Sequence, residues 1–324
     1  MTTRKLAFGV DIGGTNVRVV LGDKKGIFLK RLSERTDITN GAEGVSRQIL
    51  RMIRSIKLPK SGEDKIEGIG IGSAGPLNLA MGGLTNPTNI PYDFVPLVGP
   101  ISEEMEKPTF LLNDCTMGVT GEKYFGAGKG LKNIVYITLS TGIGAGVYVD
   151  GHLLLGKDGN AAEIGHLTID SSGCLPCSCG KRGHWEGYSS GKGIPNYCRM
   201  LLRKMRPSVY MNSVLSRLAF DSEENITAEM IFNAAKKGDS LCNEILHRVG
   251  IMNAIGFACV VDAYDPDIIT VGGSVALSNQ NLIIKPIREH IAEYARNRIP
   301  EIAITPLKED VVLYGALARV FNPK

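Results

Sequence analysis

The sequence predicts an α/β protein that is divided into two lobes. The chain has 324 residues, which is more than a single compact core usually holds. Short apolar runs of strand length alternate with segments of helical periodicity. The succession of a strand, a glycine-rich turn and a second strand occurs twice, at residues 6–21 and 134–149. We therefore expect an internal duplication with one copy in each lobe.

The first copy begins near the N-terminus with three strands in succession. A helix, a buried strand, a further strand and a second helix follow. The predicted strands are 6–10, 17–21, 27–32, 66–71 and 110–112, and the predicted helices are 45–56 and 115–124. The run 66–71 leads into a glycine-rich segment, which is typical of a parallel strand whose carboxyl end meets a ligand.

The second copy follows a glycine-rich loop at 125–130, which we interpret as a boundary between lobes. Its predicted strands are 134–139, 145–149, 152–155, 268–271 and 302–305, and its predicted helices are 245–261, 284–296 and 311–321. Pro286 is expected in the first turn of its helix, where proline is tolerated. The expected lobes are 1–115 with 310–324, and 116–309, the latter containing a zinc-binding loop at 166–186.

Composition and charge exclude several classes of protein. Hydrophobic residues make up 43% of the chain, charged residues 22%, and the net charge is +4, which is ordinary for a globular protein. Lysines and arginines are scattered, so nucleic-acid binding is not expected. No apolar run is expected to cross a bilayer, and the N-terminus lacks a signal-peptide pattern. We expect a cytoplasmic protein with neither membrane nor nucleic-acid partners.

Two glycine turns are candidate phosphate sites, one at 11–15 and one at 140–146. Glycines let backbone N–H groups approach phosphate oxygens, and the carboxylate of Asp11 could orient Mg²⁺ through water. Each turn alone also fits a plain hairpin or a closely packed strand. The presence of two favours phosphate binding. Because no helix follows the second turn, we exclude a dinucleotide-binding fold.

Several polar residues are candidates for binding or catalysis. Asp114, after strand 110–112, can cap the next helix or take a proton from a hydroxyl group as a general base, and the two roles are compatible. Glu163, His166 and Glu186 can bind vicinal hydroxyls, although isolated residues of these types usually only make a surface polar. The glycine pair at 272–273 has two interpretations. It could let an adenine ring lie flat on the backbone, or it could simply form the turn that leads into a helix.

Three cysteines are clustered between two histidines. Cys174, Cys177 and Cys179 lie between His166 and His184. Thiolates beside imidazoles in a cytosolic chain predict structural zinc rather than disulfides. These residues alone leave two sets of metal ligands open, because Cys174 and Cys177 form an alternative Cys-x-x-Cys pair.

The chain resembles sugar kinases of the ROK (repressor, open reading frame, kinase) family over nearly its whole length. The matching segments are 11–15, 113–114, 140–146, 163–166, 177–183 with Glu186, and 265–273. The cysteine segment, at this distance from Glu163-x-x-His166, is the most specific of them. The first glycine turn is shared with the wider actin, hexokinase and chaperone group.

The resemblance implies a two-lobe actin-like ATPase (ribonuclease H-like) fold with its active site in the interlobe cleft. It implies ATP, Mg²⁺, a hexose phosphorylated on its 6-hydroxyl, and a homodimer. It makes Asp114 the catalytic base. The sugar would be contacted by Gly75, Asn89, Asn113, Glu163, His166 and Glu186. The nucleotide would be contacted by Asp11, Gly13, Gly14, Thr15, Thr141, Gly142, Gly272 and Gly273.

The chain departs from the family at one position, because the family usually has a cysteine where this sequence has His184. Histidine also binds zinc, so we expect four ligands, namely His166, Cys177, Cys179 and His184. Cys174 is the rival of His184. Zinc would orient the side chains that bind the sugar rather than act as a Lewis acid.

Two other functions are alternatives to a kinase. A sugar-responsive regulator of the same family would need an N-terminal helix-turn-helix domain, and the turn at Asp11 is expected to leave no room for one. A zinc hydrolase needs an open metal position, against which four candidate ligands argue. Glucose is the expected substrate because the Glu-x-x-His pattern with a later Glu is glucokinase-like. N-acetylglucosamine and N-acetylmannosamine are the alternatives.

Overall fold

The computed structural model describes residues 4–58, 64–87 and 90–323. The chain forms two compact units. The first comprises Met1–Tyr136, Gly146–Ala161 and Thr305–Lys324, and the second comprises Ile137–Ala145 and Ala162–Ile304. This division differs from the expected lobes chiefly because it groups 116–136 and 146–161 with the N-terminal part of the chain.

The N-terminal half of the chain is built mainly of strands. In chain order its elements are β1 Lys5–Ile12, β2 Asn16–Asp23, β3 Phe28–Arg35, α1 Gly44–Ser55, β4 Lys65–Ser73, β5 Leu77–Asn78, β6 Gly83–Thr85, β7 Phe94–Pro96, α2 Val98–Met105, β8 Thr109–Asn113, α3 Asp114–Tyr124, β9 Ile134–Leu139, β10 Ile143–Val149 and β11 His152–Leu153. The strands β5, β6 and β7 form a small sheet that the sequence did not predict.

The C-terminal half is mainly helical. Its elements are α4 Glu186–Ser189, α5 Gly193–Leu202, α6 Pro207–Met211, α7 Val214–Leu218, α8 Ala228–Lys236, α9 Ser240–Tyr264, β12 Ile268–Gly272, α10 Ser274–Ser278, α11 Gln280–His290, β13 Glu301–Ile304 and α12 Val311–Phe321. Short 3-10 helices occur at Ile164–His166, Glu223–Asn225, Ile291–Glu293 and Lys308–Asp310. The helices from α4 to α8 were not predicted, because short helices carry little periodicity.

The two large sheets have the same topology. The first has the strand order β3-β2-β1-β4-β8 and the second the order β11-β10-β9-β12-β13. In each, three successive strands of the chain lie side by side, and two later strands extend the sheet beyond the first of the three. This common order confirms the duplication predicted from the repeated strand and glycine-turn pattern.

The last helix, α12, packs on the first sheet and on α3 through glycines. A Cβ atom on Gly315 would lie 1.7 Å from the carbonyl oxygen of Met117 in α3, and one on Gly70 of β4 would lie 2.1 Å from the carbonyl oxygen of Ala316. Because only glycine fits these approaches, α12 is fixed directly on the sheet and α3 is fixed against α12. This packing explains why α3 belongs to the first unit.

We expect Gly315→Ala to destabilise the protein by roughly 2 kcal/mol or more, since overpacking of a close backbone contact typically costs 1–3 kcal/mol. The matched control is Gly99→Ala in α2, where an added Cβ meets nothing within 4 Å. Urea unfolding measures both. Equal midpoints for the two variants would contradict this account of the α3–α12 contact.

The predicted position of Pro286 is wrong. The helix begins at Gln280 instead of Ile284, so Pro286 lies inside it, and the helix ends at His290. A Cβ atom on Gly250 of α9 would lie 2.3 Å from the Cβ of Pro286. Gly250 therefore makes room for the proline ring, and packing against α9 compensates for the missing N–H group in the interior of α11.

The prediction that no apolar run is long enough to cross a bilayer is also wrong, because helix α9 is long and apolar enough to do so by length and composition alone. Helix α9 has 25 residues, and its most apolar window has a mean hydropathy of 1.4. Of that window, 61% is buried inside the structure. A mostly buried helix of this kind is typical of a protein core, so its composition is weak evidence for a membrane span.

Candidate active site

Three parallel strands of the first unit end at the same level. Strands β1, β4 and β8 are adjacent and parallel, and their registers pair Ile12 with Ser73 and Ser73 with Asn113. The first glycine turn, the segment at Gly75 and Asp114 each follow one of these strand ends. Ligands of open α/β sheets bind at such carboxyl ends. Local topology thus brings three separately predicted segments to one edge of the sheet.

The first glycine turn holds its carbonyl groups inside the protein. The carbonyl of Gly13 accepts a hydrogen bond from Thr36 Oγ1 and that of Thr15 accepts one from Thr36 N, both at 2.9 Å. The carbonyl of Asn16 accepts from Gly13 N at 2.9 Å. Gly14, Thr15 and Asn16 are exposed. With these acceptors occupied, the turn is suited to offer N–H donors to an anion.

Asp11 belongs to a charge network that the sequence analysis missed. Its carboxylate is buried and accepts a hydrogen bond from Arg18 Nε at 2.9 Å. Arg18 also reaches Asp310 at 3.4 Å, and Arg31 pairs with Asp310 at 2.8 Å. Burial raises the pKa of Asp11, and the Arg18 guanidinium opposes that rise. Arg18 therefore favours the ionised carboxylate beneath the glycine turn.

Asn113 and Asp114 have different roles at the start of α3. The side chain of Asn113 caps the helix by accepting from Cys115 N at 2.8 Å and Thr116 N at 3.4 Å. Asp114 is the first helical residue, and its Oδ1 accepts from Cys115 N at 2.8 Å. A Cβ atom on Gly75 would lie 4.0 Å from Asn113 Nδ2. Gly75 and Asn113 are thus brought together, whereas Asn89 lies outside the described residues.

The second glycine turn resembles the first in its hydrogen bonding. The carbonyl of Ser140 accepts from Gly191 N at 2.7 Å, and that of Thr141 accepts from Lys192 N at 3.4 Å. The carbonyl of Gly142 accepts from Ser140 N at 2.9 Å. All three carbonyls of residues 140–142 therefore have partners inside the second unit, which again leaves the turn suited to present N–H groups to an anion.

The glycine pair after β12 lies against this second turn. Gly273 has φ +85°, and a Cβ atom on it would lie 2.4 Å from the carbonyl oxygen of Leu139. The hydroxyls of Ser140 and Ser274 are 3.1 Å apart. The structure thus places Gly273 beside the start of the turn that contains Thr141 and Gly142.

Glu163 precedes a short 3-10 helix, and His166 is the last residue of that helix. Glu163 Oε2 lies 3.9 Å from His166 Nε2, and the Glu163 side chain is 51% exposed. Loss of hydration nevertheless raises the pKa of Glu163, while His166 lowers it. A Cβ atom on Gly165 would lie 2.2 Å from the carbonyl oxygen of Ile143. Gly165 thus lets the helix approach β10 and fixes both side chains beside that strand.

Glu186 is buried and held by protein donors. Its Oε2 accepts from Ile143 N at 3.0 Å, and its Oε1 accepts from the hydroxyl of Ser178 and the thiol of Cys177. The sequence analysis assigned Glu186 to the sugar but did not find Ser178 or Ile143. No sequence signal marks these contacts, because the bond to Ile143 spans 43 positions of the chain.

Four side chains form a candidate metal centre. The ligand atoms of His166, Cys177, Cys179 and His184 all lie within 4.8 Å of one another. Cys174 lies outside this group, and its thiol contacts the Ser172 hydroxyl at 3.1 Å. Two thiols and two imidazoles form a donor set that suits tetrahedral zinc.

The electrostatics of this centre also fit a cation. Burial is the main cause that raises the pKa of Cys177 to about 11, and the Glu186 carboxylate adds to it. Burial and the neighbouring His166 lower the pKa of His184, which favours the neutral imidazole that binds metals. A divalent cation would supply the positive charge that a Cys177 thiolate needs.

The cysteine segment is anchored on α9 by aromatic residues. Trp185 is fully buried and donates from Nε1 to Asn253 Oδ1 at 2.9 Å. A Cβ atom on Gly256 would lie 2.3 Å from the indole ring. Tyr188 is buried as well, and its hydroxyl accepts from Leu175 N at 3.2 Å. These contacts fix the backbone at Leu175 and at Trp185, on either side of the Cys177–Cys179 segment.

We expect His184→Ala to reduce bound zinc well below that of the unmodified protein, since it removes one of the four grouped donors. Cys174→Ala should leave zinc binding unchanged, because the Cys174 thiol points to Ser172. Metal analysis after dialysis against a weak chelator measures both. If Cys174→Ala lost zinc and His184→Ala retained it, Cys174 would be the fourth ligand.

Comparison with known proteins places the chain in a family. The model of the ROK family matches residues 7–319. The chain belongs to the ROK family. A curated member of similar sequence, the glucokinase of Thermotoga maritima, is 35% identical over 312 residues, which are 95% of each protein. The glucokinase of Pyrobaculum calidifontis is 33% identical over 97% of this chain and 94% of its own.

A solved ROK family structure shows the same fold. The structure of a ROK family glucokinase from Streptomyces griseus, in complex with glucose and AMPPNP, matches with a TM-score of 0.76 and 28% identity. The match covers 96% of this chain and 98% of that one. The two-lobe actin-like ATPase fold of ROK sugar kinases, expected from the sequence motifs, is thereby confirmed.

Proposed function

We propose that this ROK family protein is an ATP-dependent hexokinase that transfers the γ-phosphoryl group to the 6-hydroxyl of glucose. The observation that carries the proposal is the position of Asp114. It begins α3 at the carboxyl end of β8, in register with the strand that leads to the first glycine turn. The two relatives described above, both named glucokinase, support glucose as the acceptor.

Asp114 acts as the general base in this proposal. Its carboxylate takes the proton of the sugar hydroxyl while the hydroxyl oxygen attacks the γ-phosphorus, and ADP leaves. Backbone N–H groups of both glycine turns bind the phosphates, and Gly272 and Gly273 contact the adenosine. Mg²⁺ supplies positive charge against the phosphoryl oxygens when it is bound with ATP.

In this proposal the sugar is bound by Asn113, with Gly75 beside it, and by Glu163, His166 and Glu186. Zinc on the four grouped ligands orients the last three, because His166 is one of those ligands and Glu186 lies against the metal centre. A homodimer and cytoplasmic residence remain predictions.

A coupled assay of ADP release tests the function. The purified protein with Mg²⁺ and ATP should turn over with glucose faster than with mannose, fructose, N-acetylglucosamine or N-acetylmannosamine. Faster turnover with an N-acetylhexosamine would support a sugar kinase but would make that sugar, and not glucose, its substrate. The absence of sugar-dependent ADP release from a folded sample would refute the proposal, and hydrolysis of chromogenic esters by that sample would favour a zinc hydrolase.

A further inference from the structure

Glu186 connects the candidate metal centre to the second glycine turn. One carboxylate oxygen, Oε1, accepts from the hydroxyl of Ser178 and, at 3.4 Å, from the thiol of Cys177. The other, Oε2, accepts from Ile143 N at 3.0 Å, directly after Gly142. A Cβ atom on Gly142 would lie 2.5 Å from that same oxygen. The carboxylate is therefore in direct contact with both features.

The segment that follows Glu186 also holds the turn. Gly191 N donates to the carbonyl of Ser140, and Lys192 N donates to the carbonyl of Thr141. One stretch of chain, 186–192, thus forms hydrogen bonds with three positions in or beside the turn, namely 140, 141 and 143. Any shift of Glu186 would be transmitted to the backbone of this turn.

Ser178 is the contact that depends most directly on the metal ligands. It lies between Cys177 and Cys179, which both belong to the metal centre. Ser178 and Cys179 are exposed, so few packing contacts fix the backbone at this point. Coordination of the two flanking thiols would fix that backbone and point the Ser178 hydroxyl at Glu186.

We propose that Ser178 is a positioning residue that couples zinc occupancy to the affinity of the second glycine turn for nucleotide phosphates. Zinc orders the Cys177–Cys179 backbone, Ser178 then holds Oε1 of Glu186, and Oε2 holds Ile143 N beside the turn. The proposal rests on the proposed function in one respect, namely that this turn binds ATP phosphates. It assigns zinc an effect on the nucleotide in addition to its effect on the sugar.

Calorimetry with AMPPNP and Mg²⁺, without sugar, tests the coupling. We expect removal of zinc from the unmodified protein to raise the Kd for AMPPNP about fivefold or more, the lower end of typical coupling between sites. Because coupling of binding is reciprocal, AMPPNP should tighten zinc binding by the same factor in a chelator competition. The chain has one tryptophan, Trp185, and its fluorescence reports whether the loop stays folded after metal removal.

Ser178→Ala isolates the contact without removing a metal ligand. We expect this variant to bind zinc and to show less than a twofold effect of zinc on the Kd for AMPPNP. Ser178→Thr keeps the hydroxyl and should restore the coupling. Ser172→Ala is the matched control, since Ser172 lies in the same loop but bonds to Asp170 instead; it should behave like the unmodified protein.

Three results would overturn the coupling. They are a Kd for AMPPNP that is independent of zinc in a folded sample, a coupling in Ser178→Ala equal to that of the unmodified protein, and a protein that binds no zinc. Sugar phosphorylation by any such sample would show that the kinase proposal survives. Failure to bind AMPPNP at all, with or without zinc, would reject both proposals.

Discussion

Replacing Asp114 with asparagine should lower kcat for the sugar by at least ~100-fold, the usual scale for loss of a general base. Asparagine keeps the size of the side chain but cannot take the hydroxyl proton. The helix itself should persist, because its cap is Asn113, whose Oδ1 accepts from Cys115 N and Thr116 N. Steady-state kinetics measure the loss of turnover, and urea unfolding of the same sample shows whether the stability of the fold is retained.

The control for this experiment is Glu229→Gln. Glu229 is an exposed acidic residue in the first turn of α8, so its replacement removes a similar favourable interaction with a helix N-terminus and should leave kcat unchanged. Near-normal turnover by a correctly folded Asp114→Asn variant would show that another group accepts the proton.

Replacing Cys177 with serine should abolish tight zinc binding and raise the KM for the sugar by at least about tenfold, since disturbances around metal ligands commonly cost 10–100-fold. His166 would lose its metal and with it the contact that orients its imidazole ring toward the sugar.

Zinc binding should also depend on pH, because protons compete with zinc for the two thiols and the two imidazoles. Zinc affinity in the unmodified protein should therefore fall as the pH is lowered, which a chelator competition across pH measures.

Cys259→Ser is the matched control, because Cys259 is an exposed thiol on α9 outside the metal group. It should keep both the zinc content and the KM of the unmodified protein. A zinc-free but folded Cys177→Ser protein with unchanged KM for the sugar would contradict a role of zinc in positioning the sugar ligands.

Local signals explain what the sequence predicted well. The strands at both glycine turns have near-continuous apolar runs because they are buried on both faces, as the pattern of β1 shows. Donor chemistry within a short segment predicted the metal site but left Cys174 open as a ligand, and the family resemblance then favoured His184 beside His166, Cys177 and Cys179. Arg18 was missed although a signal existed, since a hairpin register places it opposite Asp11.

Contacts between distant parts of the chain explain what the sequence did not predict. Pro286 lies inside α11 because Gly250, on another helix, makes room for it. Asp310 joins Arg18 across 292 positions, and Glu186 joins Ile143 across 43. No periodicity or spacing encodes such pairs, because they arise only when the elements pack.

Direct observation of the product is the simplest test of the claim that the protein phosphorylates glucose with Asp114 as the general base. Phosphorus NMR of the protein with ATP, Mg²⁺ and glucose should show glucose 6-phosphate and ADP growing at equal rates, and the Asp114→Asn variant should lose both signals together. Release of inorganic phosphate at a rate independent of sugar, or equal product formation by the variant, would contradict the account.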